Sequence, residues 1–171
     1  MRKRADMMTA VFPGSFDPVT MGHMDLIVRS AGMFDRLVLG VLINPGKLPL
    51  FSLEERVDML SQLTEGMANV SVRSFEGLLA DFVAGEKAGV IVRGLRTPQD
   101  FEYELPLAQA NHKLNECADT VFLFHPNNPF FEISPGKTAS CFPSPKNPYD
   151  LYNVRYVEIL RILSTIRYSL S

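Results

Sequence analysis

The chain has 171 residues, 46% of them apolar, a net charge of −2 and two cysteines. That length suits one domain with a sizeable core, and the near-neutral charge, with acidic residues scattered along the chain, excludes a surface built for nucleic acid. No apolar run approaches membrane-spanning length and no apolar stretch follows the basic start MRKRADMM, so a cytoplasmic protein is expected, with Cys117 and Cys141 reduced and used for packing.

The first apolar run, Met8 to Phe12, is followed by GSFDPVTMGH. Gly14 lets backbone approach a ligand, the Ser15 hydroxyl can donate to a phosphate oxygen, and Asp17-Pro18 shapes a turn. Met24, Ile27, Val28, Ala31 and Phe34 then repeat at helical spacing, which puts Gly22 and His23 in the first turn. Unpaired N–H groups and the positive dipole end gather there, so the site attracts anions and keeps His23 neutral. Capping of the helix by the same histidine is the plain structural alternative. The pattern is neither the Gly-x-Gly-x-x-Gly fingerprint nor a P-loop.

A second strand is expected from Arg36 to Ile43, ending in NPGK with Lys47 in the connection that follows. Ser52 with Glu55 forms a capping box ahead of Val57, Leu60 and Leu63. A third strand spans Val70 to Phe75, and Leu78, Leu79, Phe82 and Val83 form the apolar stripe of a third helix. GVIVRG, from Gly89, reads as the fourth strand; Thr97 and Pro98 open a fourth helix toward Asn115, kinked at Pro106. A fifth strand covers Thr120 to Phe124. Continuous apolar strands alternating with helices predict an α/β fold: an open five-stranded parallel sheet with helices on both faces. This core is expected over residues 1–125. Residues 126–148 hold half of the chain's 12 prolines and read as an irregular segment, and 149–171 repeat Leu151, Val154, Val157, Leu160, Leu163 and Ile166 as a final helix.

GSFDPVTMGH resembles the HxGH-type signature of the nucleotidyltransferase superfamily, with Thr20 in place of the first histidine. Together with NPGKLPLFSLEERVDML, VIVRGLR and DFEYELPLAQAN, it is similar to the phosphopantetheine adenylyltransferase family, over Met8 to Phe124. The resemblance implies a Rossmann-like fold in a homohexamer that transfers AMP from ATP to 4′-phosphopantetheine. Pyrophosphate and dephospho-coenzyme A are the implied products, Mg²⁺ the implied cofactor, and coenzyme A a further ligand as product or inhibitor. By position, it implies that His23 and Lys47 are catalytic, that Ser15, Lys47, Leu79 and Arg93 meet phosphopantetheine, and that Ser15, Phe16, His23, Gly94, Arg96 and Glu104 meet ATP. The structural alternatives are a solvated loop lysine for Lys47, a core leucine for Leu79, a surface salt bridge for the arginines and an exposed helix carboxylate for Glu104. After Phe124 the family's Ile-Ser-Ser-Ser or Ile-Ser-Ser-Thr run, which binds the ATP phosphates, is replaced by NNPFFEISPGKTASCFPSPKNP. Two alternatives therefore stand beside the enzyme: a catalytically impaired protein that binds pantetheine or coenzyme A, and a sister nucleotidyltransferase with another phosphate acceptor.

Overall fold

A computed structural model describes residues 7–44, 46 and 48–124 of the chain. Lys47, the irregular segment 126–148, the final helix 149–171 and Cys141 lie outside the described residues, all of which fall in one compact unit, Met1–Phe130.

The elements follow the expected order. They are β1 (Thr9–Gly14), α1 (Met21–Met33), β2 (Arg36–Ile43), α2 (Leu53–Leu63), β3 (Val70–Glu76), α3 (Leu79–Gly85), β4 (Val90–Leu95), α4 (Pro98–Leu114) and β5 (Asp119–Phe124). All strand pairs are parallel and the sheet order is β3-β2-β1-β4-β5. Right-handed crossovers then place α1 and α2 on one face and α3 and α4 on the other, and α3 and α4 do contact each other. The central strands are covered on both sides: from Leu37 to Val41 every residue of β2 is buried.

Caps set the helix starts. The Ser52 hydroxyl accepts from Glu55 N–H at 3.2 Å while the Glu55 carboxylate accepts from Ser52 N–H at 2.8 Å, the reciprocal pairing its sequence predicts. The neighbouring Glu54 carboxyl is held below its ordinary value by its own backbone N–H and then by the Ser52 hydroxyl. Thr97 and Asp100 make the same box at α4, with Pro98 at the first turn. Pro106 lies inside α4, which continues past it to Leu114.

Some details depart from the periodicity. Leu78 is the N-cap of α3, not part of its stripe, and is 56% exposed, because Gly77 at φ 88° turns the chain before the helix begins. Cys117 is exposed in the connection from α4 to β5 and is not a packing residue. Gly40, in the middle of β2, has a packing reason: a Cβ there would lie 2.7 Å from Phe82 and 3.1 Å from Phe75, whose rings stack at 4.3 Å over the strand. Gly32, in α1, has nothing within 4 Å of such an atom. The two glycines should therefore respond with opposite signs. Gly40→Ala is expected to destabilise by about 1–3 kcal/mol through overpacking, and Gly32→Ala to stabilise by about 0.5–1 kcal/mol through helix propensity. Urea unfolding midpoints of the two variants check both signs.

Candidate active site

Where the site lies follows from the pairing of β1. It pairs with β2 along its whole length, from Thr9↔Arg36 to Gly14↔Val41, but with β4 only at Ala10↔Val90 and Val11↔Ile91. Beyond those residues β1 and β4 separate at their carboxyl ends, and this is where strand order reverses. Such a switch point is where open parallel sheets bind ligands. A cavity of about 530 Å³ opens there.

Ser15, Phe16, His23 and Leu79 line that cavity, as do Arg93, Gly94, Arg96 and Glu104. Every sequence-predicted site residue that the structure describes therefore borders one space, although the residues come from two connections, a strand end and three helices. Lys47 lies outside the described residues.

His23 is the third residue of α1 and completes a capping box with Thr20. Thr20 N–H donates to Nδ1 at 3.0 Å, and His23 N–H donates to the Thr20 hydroxyl at 3.3 Å. A backbone N–H can only donate, so Nδ1 must be the acceptor and the ring proton sits on Nε2. The cap thereby fixes the tautomer and puts the ring N–H on the other nitrogen. The ring also rests edge-on against Phe16, with centroids 5.2 Å apart. Phe16 is 1% exposed and its φ is 48°, a left-handed conformation that large side chains seldom adopt and that marks functional turns. Its ring is packed between Phe12 and His23, so Phe16 meets the cavity mainly through its backbone.

Arg93 and Glu104 hold each other. Arg93 Nε donates to Glu104 Oε2 at 2.7 Å and Nη2 to Oε1 at 2.5 Å, a two-pronged pair in a half-buried wall, while Nη1 donates to Pro13 O at 3.2 Å. Arg93 therefore spans the gap between β4 and β1 and ties both to α4. A guanidinium has five N–H donors, and these three bonds leave two for a ligand. Arg96 is more exposed and pairs with Asp100, its Nε 3.7 Å from Oδ2. Gly94 serves packing first: a Cβ there would meet Leu26 at 2.3 Å. Leu79 opens α3, half-buried against the core of Val11, Val38 and Val83 while bordering the cavity.

Two residues that periodicity did not single out bound the same region. Arg56, within LEERV, is 4% exposed and donates to Ser15 O. Asp17, read as a turn former, accepts from Leu50 and Phe51 N–H. Both contacts span more than thirty residues, beyond the reach of any local pattern. Among the described residues no group of three His, Cys, Asp or Glu side chains could cage a metal ion. The cavity offers donors and cations suited to anions.

The chain matches the cytidylyltransferase-like family over residues 11–137. It is 49% identical over 117 residues to the phosphopantetheine adenylyltransferase of Caldanaerobacter subterraneus subsp. tengcongensis, covering 68% of this chain and 73% of that one. With the phosphopantetheine adenylyltransferase of Lachnoclostridium phytofermentans it shares 53% identity over 116 residues, 68% of this chain and 71% of the other. The chain belongs to the phosphopantetheine adenylyltransferase family. Among solved structures, the lipopolysaccharide core biosynthesis protein of Thermoplasma volcanium superposes with a TM-score of 0.51 at 22% identity, over 70% of this chain and 96% of its own. A bifunctional NMN adenylyltransferase/ADP ribose pyrophosphatase of Francisella tularensis gives 0.50 at 14%, over 68% and 38%. At those identities the likeness establishes the Rossmann-like fold that the family members share.

The tautomer is directly measurable. In nitrogen-15 spectra, His23 is expected to show an unprotonated, pyridine-type Nδ1 and a protonated Nε2 in the free protein. A protonated Nδ1 would contradict the capping geometry.

Proposed function

We propose that the chain transfers the adenylyl group of ATP to 4′-phosphopantetheine, giving dephospho-coenzyme A and pyrophosphate. The observation that carries the reading is the convergence of Ser15, Phe16, His23, Leu79, Arg93, Gly94, Arg96 and Glu104 on one cavity at the sheet's switch point, in a chain of this family.

The chemistry suits such a site. A phosphate monoester has its second pKa near 6, so the attacking oxygen is ionised at neutral pH and needs no general base. The barrier then comes from bringing two polyanions together in line and from charge that gathers on the α-phosphate. Donors fixed before the substrates arrive meet both demands. In this reading His23 Nε2–H donates to the α-phosphate as its charge grows, and Ser15 Oγ and the Phe16 amide hold the reacting phosphates from the β1–α1 turn. Arg93, oriented by Glu104, and Lys47, in the connection after β2, meet the phosphate of phosphopantetheine, with Leu79 beside its arm. Gly94, Arg96 and Glu104 border the nucleotide. Magnesium would enter with ATP and would supply charge neutralisation to the phosphates that Ser15 and His23 meet.

Coenzyme A shares the pantetheine arm and is a further ligand of the same space. Assembly into a homohexamer in the cytoplasm completes the reading. It is supported by the resemblance and by α4, which has no buried residue and exposes Tyr103, Leu107 and Leu114. No described helix is long and apolar enough to cross a membrane.

The deciding experiment measures pyrophosphate release from ATP-Mg²⁺ with and without 4′-phosphopantetheine; release that requires the acceptor is expected. Release with nicotinate mononucleotide instead would assign a sister reaction, and calorimetric binding of phosphopantetheine without any binding of ATP would indicate a protein without turnover. His23→Ala is expected to lower kcat by about 10²–10³-fold at nearly unchanged substrate binding, since its contact strengthens in the transition state. Lys47→Ala is expected to weaken phosphopantetheine binding and turnover together, checked by calorimetry and steady-state kinetics. Light scattering should return about six times the chain mass of 19.1 kDa.

A further inference from the structure

Arg56 is a buried cation whose partners are backbone carbonyls. Its Nη1 donates to Ser15 O at 2.8 Å and to Leu42 O at 3.2 Å, and its Nε to Ser52 O at 3.4 Å. Those oxygens belong to three separate stretches: the turn after β1, the end of β2 and the cap of α2. Asp17 works in the reverse direction. From the β1–α1 turn its Oδ2 accepts from Leu50 N–H at 2.7 Å and its Oδ1 from Phe51 N–H at 2.8 Å. The first turns of α2 thus send a cation to the carbonyl of Ser15 in the β1–α1 turn, and that turn sends a carboxylate to the amides just ahead of α2.

Stability alone is a poor account of this arrangement. Burying a guanidinium is costly unless every bond is made, and apolar side chains of similar volume often replace buried charges at no loss. An apolar group could not, however, fix three carbonyls from three stretches at once. One of the three matters to the cavity. The Ser15 carbonyl and the Phe16 N–H share a peptide plane and point in opposite directions. A cation gripping the carbonyl therefore aims the N–H away from itself, and Ser15 and Phe16 both border the cavity. Polarisation through the peptide also strengthens that N–H as a donor. The left-handed φ of Phe16 is held in the same grip.

We propose that Arg56 and Asp17 are a pair of positioning residues that lock the β1–α1 turn to the end of β2 and to Leu50–Ser52 ahead of α2, and thereby hold the Ser15–Phe16 peptide ready for phosphate. The mechanical half of this inference stands on the geometry; the catalytic half rests on the adenylyl-transfer reading given above.

The test compares the full-length protein with Arg56→Lys, Asp17→Asn and the control Arg36→Lys. Lysine keeps the charge at position 56 but cannot fork between carbonyls. Asparagine keeps one acceptor at position 17 and turns an amide donor toward the second N–H. Arg36 also grips a carbonyl and a carboxylate, those of Glu86, but from the first residue of β2, at the opposite end of the sheet from the cavity. Hydrogen exchange by mass spectrometry is expected to quicken about tenfold or more in peptides covering 12–18 and 42–52 together, in both test variants. Turnover should drop roughly 10- to 100-fold while both KM values stay within about threefold, because misplaced donors lose contacts that form fully only in the transition state. Arg36→Lys should lower the melting temperature and leave kcat unchanged. The proposal is overturned if folded Arg56→Lys and Asp17→Asn keep wild-type kcat, if the loss falls on KM alone, or if faster exchange is confined to α2. Should Arg56→Lys fail to fold, Asp17→Asn, which leaves the buried cation in place, decides the matter by the same criteria. A wild-type protein without turnover would count against the functional reading, and the exchange pattern would still decide whether the two connections move as one.

Discussion

The molecule turns on the way β1 shares its two edges. On one side every residue from Thr9 to Gly14 is paired with β2; on the other only Ala10 and Val11 are paired with β4. Chain topology forces this separation, since β2 and β3 are laid down on one side of β1 and β4 and β5 on the other. The carboxyl ends of β1 and β4 therefore diverge with helices leaving on opposite faces, and a cleft remains that neither helix layer fills. Arg93 bridges its floor by reaching from β4 to Pro13 O.

Everything at the cleft serves to hold donors still. The N-terminal turn of α1 brings His23 and a positive dipole end to one wall. Its capping box ties one nitrogen of His23 to the backbone and so sets the ring proton on the other. Glu104 restrains Arg93 with two bonds, which costs some of its net charge and gains a fixed direction. A site of this kind is poor at abstracting protons and good at aligning anions, and alignment is what a reaction between two phosphates requires.

Much of this can be read in the sequence, for identifiable reasons. Continuous apolar runs mark the strands because both faces of the sheet are covered. Ser52 and Thr97 mark helix starts because a cap is satisfied within three residues. GSFDPVTMGH carries its meaning because turn, cap and donor lie within ten residues. What escapes is what depends on distance along the chain. The burial of Arg56 is set by carbonyls 41 and 14 residues away, and the role of Asp17 by amides 33 and 34 residues away. The Arg93–Glu104 pair requires the register of α4 on β4, which periodicity does not supply. Leu78 misleads because helical spacing to Phe82 extends back onto the N-cap, just after the Gly77 turn and before the helix begins.

The central claim is that one crevice between β1 and β4 holds both reacting phosphates. A crystal structure with dephospho-coenzyme A tests it most directly, because that molecule contains the newly made bond. The account predicts the pyrophosphate link within hydrogen-bonding distance of His23 Nε2 and the Phe16 amide, with the pantetheine arm running toward Leu79. A product seated away from β1 and β4, or a link that neither His23 nor the β1–α1 turn touches, would contradict it.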